Sequence, residues 1–212
     1  MKAATGRDIK SFTVLAAALL LLPRLAWAHH VMDGALPETF AQGFLSGLAH
    51  PLIGLDHAAF IVAAGFFLAL VRGGIWGIAA LIAGTLFGAA LHLMGFNPPG
   101  GEVGVALSVI LIGGLVIARR RIGLAWLAGG LALAGVLHGH AYAESIFGAQ
   151  AAPLGAYLAG FSLVQLGVAA AAFQVHRHLI AMREAWVRPV SSALGAAVGA
   201  IGLAFLAVNM AT

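Results

Sequence analysis

The stretch from residue 74 to residue 94 reads GIWGIAALIAGTLFGAALHLM and decides the class of fold. It contains no Asp, Glu, Lys or Arg, and a helix of this length crosses a hydrocarbon layer about 30 Å thick. Comparable apolar stretches recur along the chain, which is 62% hydrophobic and only 8% charged. So few charged residues cannot give a soluble globule a polar surface, and uniformly apolar segments favour helices over the alternating strands of a membrane barrel. We therefore predict an all-α polytopic membrane protein.

The N-terminal segment is typical of a cleavable secretory signal peptide. Its basic leader, apolar core and small-residue cleavage site lie at Lys2 to Lys10, Phe12 to Leu22 and Ala26 to Ala28. An uncleaved additional helix is the alternative, but the apolar core is short and is followed at once by Pro23 and Arg24. We predict a signal peptide at residues 1–28 and a single transmembrane domain at residues 29–212.

Six membrane spans are predicted in the mature domain. They are Phe40 to Val71, Gly74 to Met94, Glu102 to Ala118, Ile122 to Tyr142, Pro153 to Val175 and Pro189 to Asn209. Pairs of glycines one helical turn apart predict close packing between helices; these pairs are Gly43 with Gly47, Gly84 with Gly88, and Gly195 with Gly199.

The charge of the connectors predicts the orientation of the spans. Alternate connectors carry arginine, namely Arg72, the run Arg119 to Arg121, and the stretch His176 to Arg188. The two connectors between them, Gly95 to Gly101 and Ala143 to Ala152, contain no Lys or Arg. The positive-inside rule then predicts a bacterial inner-membrane protein with a periplasmic mature N-terminus. Because the basic residues do not form one amphipathic face, nucleic acid is not an expected partner, whereas the lipid bilayer is.

Polar side chains interrupt the first span in the block HPLIGLDH, residues 50–57. His50 and His57 are seven residues apart, nearly two helical turns, and so share one face. In a regular helix Asp56 would lie roughly 120° away from His50, but Pro51 and Gly54 can bend the helix and re-aim it. An ionised Asp inside a membrane is costly unless it is paired, coordinates a metal or faces water.

The fourth span ends in a second polar segment, HGHAYAE, at residues 138–144. His140 and Glu144 share a helix face at a spacing that suits two ligands of one ion, whereas His138 points to nearly the opposite side. His92, near the end of the second span, falls at a similar depth, so these clusters are expected to line one vestibule. The mature N-terminus, His29 and His30, would lie at its mouth as a chelate or as a solvated polar end.

The chain contains no cysteine, so a metal site would have to use nitrogen and oxygen donors. The candidate metal ligands are His50, Asp56, His57, His92, His138, His140, Glu144, His29 and His30. Two other roles stay open for the buried histidines, a hydrogen bond between helices and a proton relay.

The block at residues 50–57, in the first span after a signal peptide, resembles the signature of the HupE/UreJ family of nickel and cobalt permeases. The segment from His138 to Glu144 is similar to that family's second histidine-rich motif. The resemblance implies a six-helix permease for nickel, or for cobalt in some members. It also implies functional roles for His50, Asp56, His57, His138, His140 and Glu144, whereas His92 comes from its depth alone.

We therefore predict a secondary permease for nickel or cobalt that is not an enzyme and has no prosthetic group. The sequence contains no Walker-type motif that would indicate an ATPase. A homo-oligomer or a metal-delivery partner is left open. The alternatives are an intramembrane zinc enzyme, although the H-E-x-x-H arrangement is absent, and an accessory subunit that binds metal without conducting it.

Overall fold

The computed structural model describes residues 35–120 and 122–211. The predicted signal peptide, His29 and His30 lie outside the described residues. The described part of the chain forms seven helices and no strand, which confirms the predicted all-α class. The helices are α1 (Phe40–Ile53), α2 (Leu55–Leu68), α3 (Ile75–Leu93), α4 (Gly101–Ala118), α5 (Leu124–Glu144), α6 (Ala151–Met182) and α7 (Glu184–Ala211).

The first predicted span is broken into α1 and α2, whose axes differ in direction by 79°. Thr39 and Gln42 form a capping box at the start of α1, which satisfies backbone donors that the first turn leaves free. Pro51 lies in the last turn of α1 and cannot donate a backbone hydrogen bond. Gly54 then adopts an extended conformation between the two helices. The bend that Pro51 and Gly54 allow is therefore present, and it falls at Gly54.

Packing against α6 shows that α1 and α2 cross the bundle together as one broken span. Gly43 lies against the backbone of Pro153 near the start of α6, and Gly65 lies against the backbone of Ala169. The distance from residue 153 to residue 169 along a helix is about 24 Å at 1.5 Å per residue. Helices α1 and α2 therefore follow α6 in the same direction, and the segment does not turn back as a re-entrant loop. With five other helices in the described residues that are long and apolar enough to cross a membrane, this gives the six predicted spans.

The other close helix pairs run in the directions that six alternating spans require. Helices α3 and α5 are parallel, since Gly84 lies against Ala132 and Gly88 against Val136. Helices α4 and α7 are antiparallel, since Gly113 meets Gly195 and Gly199 while Gly202 meets Ala106. A Cβ on most of these glycines would collide with the backbone of the partner helix. The predicted close packing at all three glycine pairs is therefore confirmed.

The alternation brings the arginine-bearing connectors to one end of the bundle, which we call the arginine end. It carries Arg72, Arg119, Arg120 and Arg183. The opposite end, which we call the Glu144 end, holds the connectors at residues 94–100 and 145–150. The positive-inside rule predicts that the arginine end faces the cytoplasm.

The boundaries around the last connector differ from the prediction. Helix α6 continues beyond Val175 to Met182, and α7 begins at Glu184, so the predicted connector from His176 to Arg188 shrinks to Arg183. The extension is stabilised by packing, because the His176 side chain is buried and its Nδ1 lies 2.6 Å from the Phe66 carbonyl oxygen. This histidine thus belongs to the bundle interior and not to a loop.

Two apolar clusters fill the bundle. The larger one includes Phe67, Leu81 and Val109 on α2, α3 and α4, while the smaller one surrounds Tyr142 and Tyr157 towards the Glu144 end. Large apolar side chains also cover the outside, including Trp126 at 84% exposure. An apolar exterior around a helical bundle is what a lipid environment requires.

Candidate metal centre

Four of the candidate ligands form a cluster in the bundle interior, which we call the buried cluster: His50, Asp56, His57 and His138. Its centre is the contact between α2 and α5, where His57 Nδ1 lies 2.7 Å from His138 Nδ1. Each of these two imidazoles is only 1% exposed. Two nitrogens this close need small rotations to share a metal ion at the usual 2.0–2.1 Å per ligand.

Ser108 favours one arrangement of protons in this pair. Its hydroxyl donates to the Val105 carbonyl oxygen at 2.7 Å, and its oxygen lies 2.9 Å from His138 Nε2. With a proton on Nε2, neutral His138 carries its lone pair on Nδ1 and accepts there from His57 Nδ1–H. A metal ion bound between the two Nδ1 atoms would take the place of that single proton.

His50 extends the buried cluster across the break between α1 and α2. Its ring centroid lies 6.2 Å from that of His57, so the two histidines share one side as their spacing predicted. Ser145 Oγ lies 3.2 Å from His50 Nδ1 and donates to the Tyr142 carbonyl oxygen.

The bend explains how a carboxylate can be buried in the interior. Asp56 is 1% exposed and lies in the first turn of α2, where its Oδ1 accepts the backbone N–H of His57 at 2.9 Å. The first turn of a helix offers unpaired N–H groups and the positive end of the helix dipole, both of which favour an anion. By interrupting the span, Gly54 therefore creates an anion-stabilising helix start inside the bundle. Asp56 also interacts electrostatically with His138.

Aromatic rings enclose the imidazoles. The Phe60 ring lies 4.3 Å from His138 and the Tyr142 ring 4.6 Å from His57, measured between centroids. Tyr157 donates to the Tyr142 carbonyl oxygen at 2.7 Å. Such walls exclude water and hold the imidazole planes in place.

The remaining three described candidates form a second group near the Glu144 end, which we call the open cluster: His92, His140 and Glu144. One ligand atom from each residue lies within 4.8 Å of the others. His92 Nδ1 is 3.2 Å from His140 Nε2, and His140 Nδ1 is 4.0 Å from Glu144 Oε1. His140 Nε2–H also donates to the Phe96 carbonyl oxygen at 2.9 Å, which orients the ring with Nδ1 towards Glu144.

The glycine contacts between α3 and α5 set the register of the open cluster. Gly84 faces Ala132 and Gly88 faces Val136. One further turn along both helices brings His92 beside His140. The pairing thus follows from backbone packing between parallel helices.

A pocket of about 290 Å³ lies beside the open cluster, and Asn97 and Glu102 line it together with the three candidate ligands. These two side chains add oxygen donors that the sequence analysis did not select. Glu102 stands in the first turn of α4, where an acidic residue is expected merely to complement the helix dipole. In the sequence, Glu102 follows the connector at residues 94–100, which comes just after His92. That position could have indicated Glu102 as a further candidate.

The candidate ligands therefore form two groups and do not line a single vestibule. His138 and His140 point to different sides of α5, as their helical spacing predicted. Between them, Gly139 packs against the backbone of Thr85 and leaves no room for the helix to loosen. Ser108 and Ser145 were not predicted, since a single serine in an apolar helix does not reveal which histidine it contacts.

Comparisons with known proteins identify the family of the chain. The family model described as HupE / UreJ protein matches residues 17–205. Protein HupE of Rhizobium leguminosarum bv. viciae is 33% identical over 135 residues, which cover 63% of this chain and 66% of that protein, just under two thirds of its length. No solved structure matches the chain. The chain is a multi-pass membrane protein that belongs to the HupE/UreJ family.

Proposed function

We propose that this chain is a secondary permease that takes up a divalent transition metal ion, nickel or cobalt, across the bacterial inner membrane. The observation that carries the proposal is the buried cluster, in which His57 and His138 meet beside the Asp56 carboxylate. Ionisable groups inside a membrane are costly, and they commonly mark an ion pathway. A divalent cation would meet two neutral nitrogen donors there, and the carboxylate would balance half of its charge.

The donor set supports a borderline metal and argues against a soft one. Imidazole and carboxylate suit nickel, cobalt, zinc and copper(II), whereas a thiolate site for copper(I) is impossible without cysteine. Intrinsic affinity alone would favour copper. The choice of nickel or cobalt therefore rests on the family resemblance, and selectivity would have to come from geometry.

The two clusters suggest an order of events during uptake. The open cluster, with its adjoining pocket, would capture the hydrated ion from solution. The buried cluster would then replace water with imidazole nitrogens inside the bundle. Passage requires binding that is strong enough to admit the ion and weak enough to release it.

The membrane potential is a sufficient driving force for this process. An inside-negative potential of 100 mV favours the inward movement of a divalent cation by about 4.6 kcal/mol, twice the roughly 2.3 kcal/mol per unit charge. Coupling to ATP hydrolysis within the chain is therefore not required.

One observation favours a second candidate function, a metal-dependent enzyme. Two histidines and a glutamate beside an open pocket resemble the donor set of some catalytic zinc sites. An accessory protein that binds metal without conducting it would use the same residues. Transport separates these alternatives, because only a permease moves metal without a substrate or partner.

The test is reconstitution of the purified protein into liposomes that enclose a metal-sensitive dye. We expect Ni²⁺ or Co²⁺ influx that increases with an inside-negative potential. His57→Ala and Asp56→Asn should each reduce the initial rate about a hundredfold, by removing a ligand or the compensating charge. The controls are His178→Ala and Glu184→Gln, which change exposed residues outside both clusters. Wild-type liposomes that bind the ions but show no influx would refute the permease.

A further inference from the structure

A buried polar pair outside both clusters joins α6 to α3. Gln165 is 1% exposed, and its Nε2 donates to Thr85 Oγ1 at 3.4 Å. It lies on the inward stripe of α6, two turns beyond Tyr157 and one turn beyond Phe161. Such a carboxamide is expensive to bury in a membrane protein unless all its polar atoms are used.

The hydrogen bonds of this pair fix the orientation of the carboxamide. The Thr85 hydroxyl donates to the Ile82 carbonyl oxygen at 2.8 Å, so towards Gln165 its oxygen can only accept. The Gln165 nitrogen must therefore face Thr85, and Oε1 points elsewhere. In the described part of the chain, Oε1 is buried and has no hydrogen-bond partner. An acceptor left in this state lowers stability, so its retention calls for a role.

Both helices position the pair on the arginine side of the buried cluster. The Thr85 backbone packs against Gly139, the neighbour of His138. Gly135 also lies against the Thr85 backbone, so Thr85 is level with the turn of α5 that carries His138, and its hydroxyl points to Ile82, nearly one turn closer to the arginine end. On α6, Gln165 lies about 12 Å beyond Tyr157 in the same direction.

The larger apolar cluster begins immediately beyond this pair. One turn from Thr85 is Leu81, and one turn from Gln165 is Ala169, both of them buried members of that cluster. A cation leaving the histidines towards the arginine end thus reaches Gln165 and Thr85 before an apolar barrier.

We propose that the Gln165 carboxamide oxygen is a transit site for the divalent cation, or for its coordinated water, between the buried cluster and the arginine end. Thr85 is a positioning residue that keeps Oε1 free for the ion. A neutral oxygen is a weaker ligand than imidazole for nickel or cobalt, so it would hold the ion only briefly. The inference rests on the proposed transport function and extends the pathway beyond the histidines.

The competing role is a hydrogen bond that only fastens α3 to α6. The two roles predict different responses to substitution. A fastening residue affects stability, and a change in its charge does not directly alter the affinity for metal. A transit ligand affects the rate of passage and responds to the charge placed on it.

The experiment measures Ni²⁺ and Co²⁺ binding in detergent by calorimetry and uptake in dye-loaded liposomes. We expect Gln165→Leu to bind both ions within about twofold of the wild type but to transport them about tenfold more slowly. Gln165→Glu should bind more tightly and also transport more slowly, because a carboxylate would hold the ion. Ser162→Ala is the matched control, since Ser162 lies on α6 and bonds to the Leu158 carbonyl of its own helix; it should behave as the wild type.

Gln165→Asn serves if Gln165→Leu does not fold, because it keeps the amide but withdraws the oxygen by one methylene. Slower uptake with unchanged binding would again support the transit site. Wild-type uptake rates in both Gln165→Asn and Gln165→Glu would overturn it while leaving the permease intact. Failure of the wild type itself to transport either ion would overturn both proposals.

Discussion

The buried and open clusters use the same side-chain chemistry in different surroundings. In the buried cluster, His57 and His138 belong to helices that are distant in sequence and are enclosed by aromatic rings. In the open cluster, His92 and His140 lie at the ends of two parallel helices beside a pocket. Under the proposed function, depth, and not ligand type, distinguishes the site for capture from the site for dehydrated coordination. Four substitutions test this distinction.

The largest effect is expected from His138→Ala. It removes one nitrogen of the pair and leaves His57 and Asp56 buried with a cavity between them, so uptake should fall about a hundredfold or more. The measurement is the initial rate of Ni²⁺ uptake in liposomes, with protein folding checked by size-exclusion chromatography. Uptake close to that of the wild type would mean that the imidazole pair is only a helix-to-helix contact.

An intermediate effect is expected from Ser108→Ala. Ser108 Oγ lies 2.9 Å from His138 Nε2 and, by accepting the Nε2 proton, would keep the Nδ1 lone pair directed at His57. Groups that orient a metal-binding histidine in this way typically contribute about 10- to 100-fold to metal affinity. Calorimetric Ni²⁺ titration measures the loss. Ser191→Ala is the control, because Ser191 is also a serine bonded within its own helix, α7, and contacts no candidate ligand through that bond.

The smallest effect is expected from His140→Ala and from His92→Ala. Each change leaves two ligands of the open cluster, together with the pocket that Glu102 lines. The apparent KM for Ni²⁺ should rise about tenfold while the maximal rate stays near that of the wild type, because capture is impaired and passage is not. A loss of maximal rate equal to that of His138→Ala would erase the distinction between the clusters.

Much of the fold was accessible from the sequence because it depends on local periodicity. The length of the apolar stretches predicted the spans. The charge of the connectors predicted that successive spans alternate in direction, and the helix directions agree. Helical spacing alone separated His138 from His140 and joined His50 to His57. The block from Pro51 to Gly54 also predicted the bend that buries Asp56.

The parts that could not be predicted depend on packing between distant segments. The contacts of Ser108 with His138 and of Gln165 with Thr85 arise only once the helices have docked in register. The extension of α6 through His176 likewise depends on a carbonyl of α2 that is far away in sequence. A charged or polar residue near a predicted helix end can belong to a loop or to the interior, and local pattern does not decide between them.

The glycine contacts have a consequence for how the protein can move. Close backbone contacts hold α3 against α5, and similar contacts hold α1 and α2 against α6. Each of these two groups of helices can therefore shift as a rigid body. The open cluster lies within the first body, so sliding of the two bodies past each other would leave its geometry unchanged. The imidazole pair straddles the boundary, since His57 belongs to one body and His138 to the other. A displacement of an ångström or two along that boundary would thus separate the His57 and His138 Nδ1 atoms, which now lie 2.7 Å apart.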